Sequence, residues 1–159
     1  MAHLNATTQI NAPVEVLDAI VRDPHNWPKF QVGMGEPERV FGDGGPGTKV
    51  EFNQLMMGVK LRLVQRTVEE RHDPDGSTFW RWQLEGTAPG WITCHHQPHG
   101  DGCQITTDFE YAVPGSVVGK VADRLLIERR ERRDFESSLE NLKLLAEAEA
   151  KARPAEATT

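Results

Sequence analysis

Cysteine is scarce in this chain. Cys94 and Cys103 are the two thiols in 159 residues; they flank a turn that can bring them near each other across strands, but a disulfide framework is not indicated, and reduced, buried packing is their expected role. Positive charge is also short. Eighteen Lys and Arg stand against 24 Asp and Glu, for a net charge of -6. That balance argues against nucleic acid or an anionic membrane surface as a partner. No apolar run approaches the length of a membrane span. The N-terminus has no charged region leading into an apolar stretch, so a signal peptide is not expected and a cytoplasmic location is. A nucleophile elbow, a phosphate-binding glycine loop, a His-Glu-x-x-His motif and internal repeats are all missing. The glycine-rich stretch Gly42–Gly47 contains Pro46 and reads as a turn.

What the sequence does contain is a run of short strands followed by one long helix. Residues 3 to 10 read as a strand. A helix follows, capped by Asn11 or Ala12 with Pro13 in its first turn. Val14, Leu17, Ile20 and Val21 line its apolar side, leaving Glu15 and Asp18 to the wet side. Asp23-Pro24 stops it, and the short segment 25 to 30 brings Trp27 and Phe30 to plug one end of a core. Alternation then predicts strands at 38–41, 48–57, 59–71, 78–85, 91–97 and 103–113. Val50, Phe52, Gln54 and Met56 share one face, as do Trp80, Trp82 and Leu84. A slip in the alternation at Val64 suggests a bulge. In the last strand Cys103, Ile105, Thr107, Phe109 and Tyr111 share a face. Strands joined by tight turns make an antiparallel sheet.

The final helix is expected over Val117–Ala148, because no Gly or Pro interrupts the chain between Gly119 and Arg153. At about 100° per residue its inward stripe collects Val121, Arg124, Leu125, Glu128, Arg132, Phe135, Leu139, Leu142 and Ala146. Three charges in the first half of that stripe should not be buried against a solid core. The second half is therefore expected to pack, and the first half to overhang a pocket. Residues 1–148 form one domain, and 149–159 read as a disordered tail.

The element order, the opening Asn11-Ala12-Pro13-Val14-Glu15-Val16, the Trp27-Pro28 segment and the junction Tyr111-Ala112-Val113-Pro114-Gly115 resemble the START/Bet v 1-like (SRPBCC) superfamily. Within it they look most like the polyketide cyclase/dehydrase and lipid transport branch. The resemblance covers the whole chain except the tail. It implies an α+β helix-grip fold: a curved antiparallel sheet of about seven strands wrapped around the long C-terminal helix, with two short helices after the first strand. It also implies a cavity for an apolar or aromatic, polyketide-like molecule, with cyclase or dehydratase chemistry as one outcome. A non-enzymatic carrier of a lipid or quinone is the alternative. A third reading is an interaction module acting through the charged helix and tail.

For catalysis the candidates are Arg124 as a donor to a nascent oxyanion, with Glu128 or His96 as base. His95 and Tyr111 are further candidates for the base. Against that stands an ion-paired helix rim for Arg124, Glu128 and Arg132. The ligand-binding group is Trp27, Phe52, Met56, Trp80, Trp82, Trp91, Phe109, Tyr111 and Leu125, with core packing as the competing role of the tryptophans. His95 and His96 point to opposite faces of a strand and His99 lies in a turn, so no metal site is expected. Neither a cofactor nor membrane insertion is expected, and the chain should be a monomer or weak homodimer.

Overall fold

The computed structural model describes residues 1–153. Seven strands form one antiparallel sheet: β1 (Ala2–Ile10), β2 (Arg39–Phe41), β3 (Lys49–Met56), β4 (Val59–His72), β5 (Thr78–Gly86), β6 (Gly90–His99) and β7 (Gly102–Tyr111). Their order across the sheet is β1-β7-β6-β5-β4-β3-β2. The first strand thus crosses to the far side of the last, and the strands between form a meander. Helices α1 (Val14–Arg22) and α2 (Trp27–Phe30) follow β1, and α3 (Gly115–Lys120) and α4 (Arg124–Ala152) follow β7. This is the helix-grip architecture. The sheet presents one face to α4, and α4 packs against β1, α1 and α2.

The final helical segment is broken. Val121–Asp123 is non-helical, and the Asp123 carboxylate caps α4 by accepting from the backbone N–H groups of Leu125 at 3.0 Å and Leu126 at 3.3 Å. An aspartate that satisfies these free donors competes with continuing the preceding helix, although no Gly or Pro marks the break. At the other end α4 runs to Ala152, four residues further than expected. The remainder of the expected tail, residues 154–159, lies outside the described residues.

Directly opposed residues share a face of a sheet. Two inward rows follow from the register: Gln65, Leu84, Gly90 and Tyr111, and beside it Thr67, Trp82, Ile92 and Phe109. The bulge in β4 falls between Thr67 and Glu69 and not at Val64. Gln65 and Thr67 are buried, each about 2% exposed. Polar residues therefore hold inward positions, which makes the apolar alternation slip three residues too early. Trp91 opposes Gln83 and Glu110 and lies on the outer face, where the Arg81 guanidinium stacks over it at 4.0 Å.

Helix α1 begins after Pro13 with no side-chain cap; the Asn11 N–H donates instead to Glu147 on α4. The Gly42–Gly47 turn packs under the end of α1. Gly44 has φ +99°, and a Cβ there would run into the Arg22 carbonyl oxygen. That glycine is a packing requirement, consistent with a structural turn.

Candidate functional site: an aromatic-walled cavity

Between the inner face of the sheet and the middle of α4, from Glu131 to Leu142, lies a cavity of about 150 Å³. Trp27, Phe30, Phe52, Trp82, Phe109, Tyr111 and Phe135 form its aromatic wall, and Met56, Leu63, Leu84, Ile92, Leu139 and Leu142 fill much of the rest. The rings are mutually supported. Phe109 stacks on Tyr111 at 4.7 Å and on Phe135 at 6.3 Å, and Trp82 meets Trp27 edge-on at 6.4 Å. Behind the wall Trp80 stacks on Trp82 at 5.6 Å. Such contacts hold the rings in place beyond the burial of their area.

The second half of α4 is seated by specific polar contacts. The Ser138 hydroxyl accepts from the Val32 N–H at 2.9 Å, and the Asn141 amide donates to the Phe30 carbonyl at 3.3 Å. Leu139, Leu142 and Ala146 are buried there. The first half turns a different side inward from the expected one. Ile127 and Glu131 are buried, whereas Arg124, Leu125, Glu128 and Arg132 are exposed. The inward stripe runs Ile127, Glu131, Phe135, Leu139, Leu142, Ala146, a run of mostly i+4 steps.

The polar groups of the cavity are few. Gln65 Oε1, Trp82 Nε1 and Glu131 Oε1 are buried without a hydrogen-bond partner. Glu131 is 8% exposed, and its carboxyl is pushed up to about 7. Burial is the main cause, and the neighbouring Asp134 adds to it while Arg130 opposes it. Cys94 shares a hydrogen bond of 3.4 Å with Thr107. Burial drives its thiol up to about 12, so it stays protonated and unreactive. Tyr111 is likewise raised, by burial first and then by Glu131 and Glu128. No Lys, Arg or His lines the cavity among the described residues.

The family model described as polyketide cyclase / dehydrase and lipid transport matches residues 1–147. The chain belongs to this family. No curated protein sequence matches it. Solved structures with the same fold include a protein of Thermus thermophilus, with 22% identity, a TM-score of 0.73 and coverage of 94% of this chain and 99% of that one. Norcoclaurine synthase of Thalictrum flavum, in complex with dopamine and hydroxybenzaldehyde, has 17% identity, a TM-score of 0.61 and coverage of 97% and 89%. A START superfamily protein of Mycobacterium smegmatis has 15% identity, a TM-score of 0.57 and coverage of 94% and 97%. At these identities the likeness is one of fold.

In this family member the structure brings Trp27, Phe52, Met56, Trp82, Phe109 and Tyr111 to the cavity. Other expected site residues lie elsewhere. Leu125 is 53% exposed on α4, and Arg124 and Glu128 are exposed beside it. Trp80 and Trp91 sit behind the wall and on the outer face respectively.

His96 is fully buried, but under α1 and away from the cavity. There Asp18 Oδ1 accepts from Thr78 Oγ1 at 2.7 Å and Trp80 Nε1 at 3.0 Å, and lies 2.9 Å from His96 Nδ1. Burial works to raise the Asp18 carboxyl, but the bonds from His96, Thr78 and Trp80 outweigh it and hold the group below its ordinary value. Asp18, expected on the wet side of its helix, is only 8% exposed. It sits one turn after Val14 and beside Leu17, on the apolar face of α1, so its position is readable from spacing. Glu131 is readable in the same way, four residues from both Ile127 and Phe135. Charge leads away from both residues, because a buried carboxylate is the rarer case.

Proposed function

We propose that this chain binds an apolar or aromatic small molecule in the cavity between the sheet and α4. The observation that carries the reading is the lining itself: seven aromatic side chains and a group of aliphatic ones around a concave space, with three unpaired polar atoms. Size narrows the ligand. A space of about 150 Å³ is of the order that holds one benzene ring, so one or two rings suit it better than a long acyl chain. The same fold in the Thalictrum protein is in complex with two single-ring molecules.

Whether the ligand is carried or altered turns on proton chemistry. A predominantly apolar lining favours a carrier. Glu131 favours cyclase or dehydratase chemistry, because a carboxyl with a value of about 7 can give and take protons near neutrality. Arg124 and Glu128, exposed, would need a ligand that reaches beyond the cavity, and His96 is sealed under α1. Native mass spectrometry of the protein purified from its own source, followed by denaturing extraction, tests the reading. A stoichiometric apolar or aromatic molecule is expected. Recovery of an altered molecule after incubation selects the enzyme. An empty protein whose melting temperature ignores a panel of aromatics would overturn ligand binding.

A further inference from the structure

The cavity's polar atoms have not been assigned a role, and their placement is selective. Gln65 is on β4 and Trp82 on β5. Trp82 opposes Thr67, and Leu84 opposes Gln65, so Gln65 and Trp82 are diagonal cross-strand neighbours on the cavity floor. Long and aromatic side chains reach each other at that spacing. Gln65 is 2% exposed and Trp82 4%, and each carries an unpartnered polar atom. One of these atoms is an acceptor, Gln65 Oε1. The other is a donor and nothing else, the indole N–H.

We propose that Gln65 and Trp82 are the specificity-determining pair of this cavity, and that they select a neutral aromatic molecule bearing a hydroxyl group. A hydroxyl is the smallest group that donates to Gln65 Oε1 while accepting from Trp82 Nε1–H. A plain hydrocarbon leaves both atoms buried and unpaired, which disfavours it. An aromatic acid fares worse. No cation lines the cavity among the described residues, and Glu131 and Asp134 both do, so a carboxylate would enter a mostly apolar site without a counter-charge and facing its own kind. The inference rests on the cavity being an aromatic-binding site, and adds which chemical features that site reads.

The test is isothermal titration of the full chain at pH 7.5 with four probes sharing one ring system: 2-naphthol, naphthalene, 2-naphthoate and 2-naphthylmethylamine. The naphthol is expected to bind about tenfold more tightly than naphthalene, and the naphthoate not measurably. Gln65→Leu should bring the ratio of 2-naphthol to naphthalene affinity close to one. Trp82→Phe, which keeps a ring but removes the N–H, should do the same, whatever its smaller ring does to the two affinities together. Two variants guard against one failing to fold, and measurable naphthalene binding shows that each retains the cavity.

If the naphthol has no advantage over naphthalene, or keeps its advantage in both variants, the assignment is overturned while ligand binding stands. The same holds if the acid or the amine binds tightest. If none of the four probes binds, the binding reading itself falls, and this inference with it.

Discussion

Two buried carboxyls make opposite predictions. Glu131 stands at about 7 in the fold against 4.5 for an ordinary Glu. Between those values the folded protein holds a proton that the unfolded chain has released. Stability therefore falls as pH rises through that window and levels off above it, by an amount on the order of 3 kcal/mol. Glu131→Gln removes the ionisation, so the variant should melt higher than the parent at pH 8 and close to it at pH 4.5. Thermal melts across that range check the sign, and a variant that loses stability at pH 8 would contradict it. Asp18 is held low, so its contribution is complete above its ordinary value near 3.8 and is lost as pH falls through the lower, folded one. Asp18→Asn weakens a charge-assisted acceptor of three groups and should cost about 2 kcal/mol at pH 7 by denaturant unfolding. An unchanged midpoint would refute that account. Neither residue's burial is legible from its type, because pattern reading sends charge to water. The apolar face of α1 includes position 18 all the same, and the inward stripe of α4 includes 131.

For whole elements, strands are more legible than helix ends. Alternation locates β3, β5 and β7 because each presents an apolar row inward: Val50 and Phe52, Trp80 and Trp82, Cys103 and Ile105 are all buried. The bulge in β4 is misplaced by alternation because the inward row there is polar. The split between α3 and α4 is hidden for a different reason. Val121 to Asp123 carries no helix breaker, and the stop is made by a side chain whose competing role sequence alone does not announce. Asp123→Ala should cost about 1 kcal/mol through loss of the cap. Amide hydrogen exchange should rise over the first turn of α4, at Leu125 and Leu126, and little elsewhere. Uniformly faster exchange along α4 would mean that the cap does not act locally.

The whole molecule is legible as an architecture, and its cavity is legible as a consequence. A sheet that curves around one helix cannot be filled where that helix carries few large apolar groups. The reading of three charges on the first half of α4 leads to a cavity through the wrong residues: Glu131, Asp134 and Phe135 line it, and Arg124, Glu128 and Arg132 do not. We propose that this space is a ligand site and not a packing defect. The direct measurement is a fluorescence titration with 2-naphthol of the parent protein and of Ile92→Trp, which puts a large ring into the cavity from β6. One saturable site is expected in the parent, and at least about tenfold weaker binding in a folded Ile92→Trp protein. Absence of binding to the parent, or equal binding by the blocked variant, would contradict it.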